Sequence, residues 1–553
     1  MPEHHSAARK RTGLTITFLS MLTVLLLYSF FSGQPNQWLW IVSAFALWAG
    51  TLYFLPPFSN KIEGFPKHPT KHMLKKREIA LIVGAGSAGK IVANELRNTS
   101  RSSLWPIGFI DDDREKHFSK ICGVRVIGSR SQLPERIKDL GIDTVIIAIP
   151  SAPKEEIREI VELCRESNVK IKKIPRLVDI FEGRISLSMI RDVKVEDLLG
   201  RESIHLDMLP ISDYMTDKVI LVTGAGGSIG SELCRQILRF SPKKILLLGQ
   251  GEHSIFMIEN ELQKKHPGTD FISIIADVKN ERRLRQIFEK HRPEVVFHAA
   301  AHKHVPLMEK QPQEAIKNNI IGTKNMAECA HLFHTERFIL ISTDKAVNPT
   351  SVMGATKRFA ELIIQHYNKI SDTKYAAVRF GNVLGSRGSV VLLFKQQIAE
   401  GGPVTVTHPE MVRYFMTIPE GVQLVIQAGS YMIGGEIFVL DMGKPVKIVD
   451  LAKDLIRLSG FEPYKDIDIT FSGIRPGEKL YEEMLTADDN HDSTKHELIF
   501  ITKPDLFSEE ELFTALEQLD KICSQDQWLP PEAYKEKLRT HLPSYKSSEN
   551  NLY

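Results

Sequence analysis

The chain lacks charge over one long stretch near its N terminus. No Asp, Glu, Lys or Arg occurs from Thr12 to Asn60, and two apolar runs, Thr12–Ser32 and Trp38–Leu55, lie inside this stretch. About 20 apolar residues are enough to span a bilayer core as a helix. The sequence therefore predicts a transmembrane helical hairpin within residues 1–60. A cleaved signal peptide is the alternative for the first run, but that run is long and a second one follows at once.

Both flanks of the predicted hairpin are rich in basic residues. Arg9, Lys10 and Arg11 precede the first run, and residues 61–77 carry six Lys or Arg. Cytoplasmic loops hold an excess of Lys and Arg. We therefore expect a multi-pass protein of the cell (inner) membrane, with everything after residue 60 in the cytoplasm.

Cysteine is scarce, and neither sign of charge dominates. The five Cys are scattered without a CxxC pair, so neither a disulfide framework nor a metal site is expected. The balance of 71 Lys and Arg against 68 Asp and Glu gives +3, which argues against nucleic acid as a partner. With 42% hydrophobic and 25% charged residues, the bulk of the chain has the composition of globular domains.

After the basic linker at residues 61–77, a short apolar strand at Glu78–Val83 leads into the loop Gly84-x-Gly86-x-x-Gly89 and a helix. Alternating strands and helices then continue, which predicts a parallel, doubly wound sheet over residues 78–175. The loop has the features of a nucleotide-binding turn, yet no catalytic group follows it. A structural or regulatory domain is the favoured interpretation, and its ligand stays open.

Residues 176–216 form a predicted bridge, and the strand–helix pattern restarts at Lys218. We predict a catalytic domain over residues 217–510, with a small substrate lobe after residue 381, and a helical C-terminal region with a polar tail over 511–553. The tail from Ser544 onward is expected to be loose. The predicted fold class is α/β: a transmembrane hairpin, then two Rossmann-like, doubly wound parallel-sheet domains.

The second glycine loop has the spacing Gly224-x-x-Gly227-x-x-Gly230, which is typical of short-chain dehydrogenases/reductases and predicts a nicotinamide cofactor. Gln250 stands where an acid would favour NAD and an Arg NADP, so NAD is favoured and NADP stays open. The predicted cofactor-binding residues are Thr223, Gly224, Gly227, Ser228, Ile229, Gly230, Gln250, Asp277, Val278, Ala299, Ala300 and Lys357.

The densest stretch of chemistry runs from Ser342 to Lys357. Short-chain dehydrogenases carry a Tyr base four residues before the helix Lys, but here that position is Met353, which cannot exchange a proton. Asp344 and Lys345 supply acid–base groups beside the same site. A non-catalytic dinucleotide-binding membrane scaffold is the alternative, and the intact Asp344, Lys345 and Lys357 argue against it.

Four long motifs carry a resemblance to a known family: HAAAHKHVPLME at 298–309, STDKAVNPTSVMGATK at 342–357, RFGNVLGSRGSV at 379–390 and GIRPGEKLYEEM at 473–484. The chain closely resembles the membrane-bound nucleotide-sugar 4,6-dehydratases, or CapD-like polysaccharide biosynthesis proteins, up to about residue 500. Met in place of Tyr at this position is itself typical of the large membrane-bound branch of that family. Large members commonly have four membrane helices, whereas this chain has room for two.

The resemblance implies an enzyme, a lyase, that dehydrates a UDP-N-acetylhexosamine, most simply UDP-N-acetylglucosamine, for surface-glycan synthesis. The C4 hydroxyl is oxidised, water leaves from C5 and C6, and hydride returns to C6. On this basis Asp344 is the acid for the C6 hydroxyl and Lys345 the C5 base, with a pKa that burial and Lys357 would lower. Lys357 and Thr343 help to deprotonate the C4 hydroxyl, and Met353 packs against the ligands.

Substrate contacts are expected from the same motifs, and a homo-oligomer is expected. A 4-epimerase on the same scaffold is the main alternative, although it would need the missing Tyr. The exact sugar, the C5 stereochemistry and the glycan pathway stay open. The candidate substrate-binding residues are Lys303, Glu309, Asn382, Ser386, Arg387, Arg413 and Arg475.

Overall fold

The computed structural model describes residues 77–546, apart from 100–101, 165–166, 168, 175–189, 194–196, 198–203, 205, 485–490, 503–507 and 526–528. The predicted hairpin and nearly all of the basic linker lie outside the described residues. Within the described part of the chain, no helix is long and apolar enough to cross a membrane.

A seven-stranded sheet of order β3-β4-β2-β1-β5-β6-β7 is built by the first region, residues 77–193. Its central strands are parallel, and short antiparallel strands close both edges. Its strands are β1 Glu78–Val83, β2 Leu104–Ile110, β3 Lys120–Ile121, β4 Val124–Gly128, β5 Thr144–Ile147, β6 Lys170–Lys173 and β7 Arg191–Asp192. Its helices are α1 Ser87–Asn98, α2 Leu133–Leu140 and α3 Lys154–Cys164.

The sequence pattern explains this sheet. Leu81 and Ile82 on β1 are fully buried and belong to different apolar clusters on the two faces of the sheet. Strands covered on both sides read as continuous apolar runs, because successive side chains point to opposite faces. Helix α1 is amphipathic and buries Val92, Ala93 and Leu96 against one face.

The second region, residues 208–546, begins with helix α4 Met208–Met215, which lies in the segment predicted as a bridge. Its strands are β8 Val219–Thr223, β9 Lys244–Gly249, β10 Phe271–Ile275, β11 Val295–His298, β12 Arg337–Ile341, β13 Lys374–Arg379, β14 Asn382–Leu384, β15 Val404–Val406, β16 Val412–Arg413, β17 Phe415–Thr417, β18 Ile437–Leu440, β19 Val446–Lys447, β20 Ile469–Phe471, β21 His491–Ser493 and β22 Ile499–Thr502.

Besides α4, the described part of this region contains helices that cover the main sheet and helices that build a small lobe. They are α5 Ser228–Ile237, α6 Glu252–Lys265, α7 Glu281–His291, α8 Val305–Lys310, α9 Pro312–Ala315, α10 Gly322–Leu332, α11 Val352–Ile370, α12 Val390–Ala399, α13 Ile418–Tyr431, α14 Ile448–Leu458, α15 Glu509–Cys523 and α16 Pro531–His541. A π-helical segment, Ile316–Ile321, leads into α10.

Nine strands form the main sheet in the order β10-β9-β8-β11-β12-β13-β18-β22-β21. The first seven run parallel, and β22 and β21 close the edge antiparallel. The prediction of Rossmann-like parallel sheets is therefore confirmed. Because parallel strands end at one edge, the ends of β8, β11, β12 and β13 meet where a ligand can bind.

A small lobe stands beside this edge. It is formed by α12 and α14 with the parallel strand pair β15 and β20. Val391, Phe394, Val404, Leu451 and Leu455 form part of a separate apolar core within it. The lobe therefore has its own packing and provides a second wall for the site.

The C-terminal helices α15 and α16 pack against α11 and the main core rather than standing apart. Tyr545 is only 3% exposed, and the Lys546 amide donates to the Pro349 carbonyl at 3.0 Å. The expectation of a loose tail from Ser544 is therefore wrong for its first residues, because an aromatic ring anchors them to the core.

Candidate functional site

The glycine loop of the second region follows β8 and leads into α5. Gly224 has a φ of +63°, and a Cβ there would lie 3.0 Å from the Ala299 carbonyl, so only glycine lets the two segments approach this closely. A Cβ at Gly230 would overlap the carbonyl oxygen of Gly224. No side chain caps the N terminus of α5 at Gly227. The loop therefore offers a helix N terminus to an anion such as a pyrophosphate.

A buried hydrogen-bond chain fixes the floor beneath the loop. Thr223 Oγ1 lies 2.8 Å from His298 Nδ1, and His298 Nε2 lies 3.1 Å from Thr323 Oγ1. Because Thr323 donates to the Asn319 carbonyl, it accepts from His298, and Thr223 then donates to Nδ1. Burial lowers the pKa of His298 to about 3. The imidazole is therefore neutral and structural.

The Thr223 hydroxyl also accepts hydrogen bonds from two backbone amides. Thr223 Oγ1 takes the amides of Ala299 at 3.1 Å and Ala300 at 3.2 Å. Thr223 and Ala300 therefore shape the loop from below, whereas Ala299 lines the cleft itself.

Three other predicted cofactor residues lie at the same edge of the sheet but outside the cleft lining. Gln250 is exposed after β9. Asp277 follows β10, accepts the Lys279 amide at 2.9 Å and lies 3.5 Å from Lys279 Nζ. Val278 is buried, and a Cβ at Gly322 would press against it. These residues flank the loop on the side away from the small lobe.

A cleft of about 680 Å³ opens between the glycine loop, the end of β12 and the small lobe. Most predicted residues meet there. Those that line it are Gly224, Gly227, Ser228, Ile229, Gly230, Ala299, Lys303, Thr343, Lys345, Met353, Lys357, Asn382, Ser386, Arg387, Arg413 and Arg475.

The acid–base pair sits on a single turn after β12. Thr343 caps the 3₁₀ turn Asp344–Ala346. Asp344 is fully buried, and its Oδ1 accepts from Thr343 Oγ1 at 2.8 Å and Lys345 Nζ at 2.9 Å. Asp344 Oδ2 is buried and has no hydrogen-bond partner among the described residues. Asp344 lies behind the cleft surface, whereas its neighbours Thr343 and Lys345 line the cleft.

The expectation of a lowered pKa for Lys345 is wrong. Burial pushes its pKa down, but Asp344 and Glu482 outweigh burial and the repulsion of Arg413, so the pKa is raised. The charges with the largest effect on the Lys345 pKa are those of Asp344, Glu482 and Arg413, and Lys357 is not among them. In the cleft as it stands, Lys345 is an ammonium ion held by carboxylates.

Lys357 is a buried amine whose pKa falls. Burial lowers the pKa to about 8, against the pull of Glu361. Its Nζ donates to the Ile341 carbonyl at 2.7 Å. Met353 lies one turn earlier on α11, 4% exposed, and lines the cleft with Lys357. The group that can readily lose a proton near neutral pH is therefore Lys357.

A buried ion network below the site was missed by the sequence interpretation. Glu361 accepts from Ser342 Oγ at 2.6 Å, from Arg379 at 2.8 Å and from Arg358 at 2.7 Å. All four residues are buried. The spacing of Arg358 and Glu361 on one helix face was the available signal. This network fixes the ends of β12 and β13 that carry the cleft residues.

Among the substrate candidates, Lys303 and Ser386 meet, with 3.3 Å between Nζ and Oγ, and burial lowers the pKa of Lys303. Arg387 donates its backbone amide to Ser228 Oγ at 3.1 Å. This bond ties the β14–α12 loop to the start of α5. Asn382 Oδ1 lies 3.4 Å from Lys345 Nζ.

The arginine candidates differ. The side chain of Arg475 is 45% exposed, and its Nε lies 3.9 Å from Glu478 Oε1. Arg413 donates to the carbonyls of residues 412, 479 and 480. Most of the hydrogen-bond donors of its guanidinium are therefore engaged by backbone carbonyls.

Glu309 lies outside the cleft lining, contrary to its expected role in substrate binding. Its Oε1 accepts the Val352 amide at 2.7 Å, and its Oε2 lies 3.2 Å from Lys535 on α16. Glu309 therefore caps the start of α11 and fastens the C-terminal helix, which is a structural role.

Glu482 is a second residue that the sequence interpretation missed. It lines the cleft, with Oε1 3.4 Å from Lys345 Nζ and 3.5 Å from Arg413 Nε. It occurs in the 473–484 motif, where two adjacent acids gave no indication of which one points inward.

The model of a polysaccharide biosynthesis protein family matches residues 220–504. This chain belongs to that family. A model of a CoA-binding domain matches residues 5–175. The resemblance to CapD-like proteins, stated from the motifs, is confirmed.

Relatives of this chain extend across both regions. It is 51% identical over 457 residues to "Capsular polysaccharide biosynthesis protein CapD" of Staphylococcus aureus, covering 82% of this chain and 76% of that protein. It is 55% identical over 415 residues to "Probable polysaccharide biosynthesis protein EpsC" of Bacillus subtilis, covering 74% and 69%. A Campylobacter jejuni protein named "UDP-N-acetylglucosamine 4,6-dehydratase (inverting)" is 34% identical over 294 residues, covering 52% and 84%.

Proposed function

We propose that this family member is an NAD-dependent nucleotide-sugar 4,6-dehydratase that acts on a UDP-N-acetylhexosamine, most simply UDP-N-acetylglucosamine. The observation that carries the proposal is the Asp344–Lys345 pair, 2.9 Å apart at the cleft, in a site whose Tyr position holds Met353. The name of the Campylobacter jejuni relative supports the same reaction.

The residues of the glycine loop fit a dinucleotide. The Gly224 turn would be filled by any Cβ, and α5 starts without a side-chain cap. A dinucleotide held by this loop would supply the hydride acceptor for C4 oxidation and the hydride donor for C6. NAD is favoured over NADP because no Arg follows β9, and Gln250 can contact a ribose without reading its charge.

The first task of the chain is to take the proton of the C4 hydroxyl. Met353 has no acid–base chemistry. Lys357, with a pKa of about 8, and the Thr343 hydroxyl are the cleft groups assigned to this step. An amine that is partly neutral at the working pH is matched to proton acceptance.

The second task needs a base for the C5 proton and an acid for the C6 hydroxyl. Transfer of one proton from Lys345 Nζ to Asp344 Oδ1 along their 2.9 Å hydrogen bond would create both at once. Neutral Lys345 then accepts the C5 proton, and protonated Asp344 gives its proton to the departing hydroxyl. The two protons balance, and one water leaves.

A nucleotide-sugar 4-epimerase is the second candidate, since it would use the same cofactor cleft. It has no use for the Asp344–Lys345 pair and requires a phenol base at position 353. A dinucleotide-binding membrane scaffold without activity would not need the buried, open oxygen of Asp344. Both alternatives therefore leave the same residues unexplained.

The proposal extends to the rest of the chain. Residues 1–60 anchor the protein in the cell membrane, residues 78–175 form a structural or regulatory domain, and residues 217–510 form the catalytic domain of a homo-oligomer. The basic flanks of the hairpin and the restart of the strand pattern at residue 218 support this division.

The test is to incubate the full-length chain with UDP-N-acetylglucosamine and follow the nucleotide sugar by mass spectrometry. The expected product has lost one water and carries a ketone that reacts with hydroxylamine. Conversion to an isomer of unchanged mass would establish the epimerase instead. An unchanged substrate, with dinucleotide bound to the protein, would favour the scaffold.

A further inference from the structure

The segment 473–484, here called the strap, crosses the catalytic turn from the side of the small lobe. Lys479 Nζ donates to the Val347 carbonyl at 3.0 Å, and Thr350 Oγ1 donates to the Gly477 carbonyl at 3.2 Å. Val347 and Thr350, which make these two bonds, lie within six residues of Asp344 along the chain. The strap is therefore fixed directly to the loop that carries the acid–base pair.

A second set of bonds fixes the strap to the sheet of β16 and β19. The Val412 amide donates to the Leu480 carbonyl at 3.1 Å. The Arg413 guanidinium donates to the carbonyls of Lys479 at 2.7 Å and Leu480 at 3.2 Å. With both ends of residues 477–480 held, the next residues have little freedom of placement.

This arrangement delivers the Glu482 carboxylate to the catalytic pair. Its side chain is 3% exposed, and Oε1 lies 3.4 Å from Lys345 Nζ and 3.5 Å from Arg413 Nε. Its Oε2 is buried and has no hydrogen-bond partner among the described residues. A buried carboxylate is costly unless nearby cations compensate it, so Glu482 depends on Lys345 as much as Lys345 depends on it.

The charged and polar groups facing Lys345 come from three other elements. Asp344 lies on its own turn, Glu482 on the strap and Arg413 on β16, and the Asn382 amide oxygen on β14 is 3.4 Å away. Glu482 and Asp344 approach the ammonium as two separate carboxylates. Removing either one leaves the other to hold the charge alone.

We propose that Glu482 is a positioning residue for the reaction, which holds the Lys345 ammonium beside Asp344 and stabilises its protonated form. The inference rests on the proposed function for its meaning, but the contact itself can be measured without turnover. Glu482 contributes no bond to the sugar; it acts through Lys345.

Two consequences distinguish this role from a structural one. In Glu482→Gln the pKa of Lys345 should fall by about 1–3 units, since an opposite charge within about 4–6 Å has an effect of that size. Turnover should also fall about 10-fold or more with little change in KM, because Lys345 Nζ loses one of the two carboxylates that hold it in place beside Asp344. The lowered pKa alone would ease proton transfer to Asp344, so a fall in turnover reports lost positioning.

The experiment titrates Lys345 in the full-length chain by competitive labelling with acetic anhydride between pH 7 and 12, read by mass spectrometry of the peptide that contains it. Wild type should label with a pKa above that of a free lysine. Glu482→Gln should shift labelling to lower pH, and Glu482→Asp, which keeps the charge, should restore most of the wild-type value.

Glu483→Gln is the matched control, since Glu483 is the next residue, its side chain is 49% exposed and it pairs with Lys479. It should leave both labelling and turnover unchanged. An unchanged pKa of Lys345 in folded Glu482→Gln would overturn the inference.

If Glu482→Gln does not fold, Glu482→Asp carries the test instead. The shorter Asp side chain draws the carboxylate away from Lys345, so a wild-type kcat in this variant would contradict the proposal. If the pKa of Lys345 falls in Glu482→Gln but the wild-type protein has no dehydratase activity, the proposed function is refuted, while the contact between Glu482 and Lys345 is supported.

Discussion

The two glycine-rich loops share one local design and differ in what faces them. In each, a Cβ on the third glycine, Gly89 or Gly230, would overlap the carbonyl oxygen of the first, Gly84 or Gly224. Close packing of helix on strand explains the third glycine in both loops, although the spacing of the glycines differs between them. The similarity of the loops therefore reflects the same packing of helix on strand. It does not show that both loops have the same function, which depends on the residues at the ends of the neighbouring strands.

The neighbours are different. In the first region, Asp111 after β2 accepts the Ala85 amide of the loop at 2.7 Å and the Asp113 amide at 3.0 Å, and lies 3.3 Å from Lys116 Nζ. This carboxylate is engaged within the loop itself. In the second region, the turn after β12 places Lys345 in the lining of a cleft, with the buried Asp344 directly behind it. A catalytic site needs both the loop and such a strand end.

Of the changes predicted here, removing the acid–base pair from the second region should reduce turnover the most. Asp344→Asn should remove the C6 acid and Lys345→Ala the C5 base, each lowering turnover by about 10²–10⁴-fold, as is typical of such groups. Dinucleotide binding should persist, because the glycine loop is untouched. Steady-state turnover and the absorbance of bound reduced cofactor measure the two effects. Met353→Leu should lose much less; a dead Met353→Leu beside active Asp344→Asn would reverse the assignment.

The paired glycines offer a direct test of the difference between the regions. Gly230→Ala should abolish bound dinucleotide and turnover, since the new methyl overlaps the Gly224 carbonyl. Gly89→Ala has the same steric defect in the first region and should leave turnover within about threefold, because no catalytic group depends on that loop. Dinucleotide content after purification and kcat decide the outcome. Equal losses in both variants would show that the two loops act together.

The buried network below the second cleft predicts a pH-dependent stability. Burial raises the pKa of Glu361, but Arg379, Arg358 and Ser342 outweigh it and bring the pKa to about 2. A lowered folded pKa stabilises the protein above the unfolded value of about 4.3, and this stability is lost as the pH falls toward 2.

Glu361→Gln should therefore cost about 3–5 kcal/mol at neutral pH, because it leaves two buried guanidinium groups without their carboxylate. Urea unfolding at pH 7 and pH 3 measures the effect, which should shrink at the lower pH. Glu400→Gln, on an exposed residue, serves as the control and should change the unfolding free energy by less than about 0.5 kcal/mol. A pH-independent difference would contradict the linkage.

The smallest effect is expected where the two regions touch. Arg158 on α3 lies 2.8 Å from Asp454 on α14 of the small lobe, and its side chain is 50% exposed. Exposed ion pairs contribute about 0–1 kcal/mol. Arg158→Ala should therefore change KM by less than about twofold. A larger change would show that the first region controls the small lobe.

The sequence allowed the parallel sheets to be predicted because buried strands are continuous apolar runs between glycines and helices. Glu78–Val83 is a strand with the bounds predicted. The cleft assignment followed from motifs at strand ends. What could not be foreseen was which acidic side chain points inward: Glu309 and Glu482 both lie in conspicuous motifs, and tertiary packing alone directs one to a helix cap and the other to Lys345.

The position of α15 and α16 has a consequence for the order of events during synthesis. Leu512, Leu516, Leu538 and Tyr545 complete the apolar core against which α11 lies. A ribosome releases these residues after the glycine loop, the catalytic turn and the strap. The nascent chain must therefore carry an uncovered catalytic helix until α15 and α16 emerge, and this helix is where a chaperone would find exposed apolar surface.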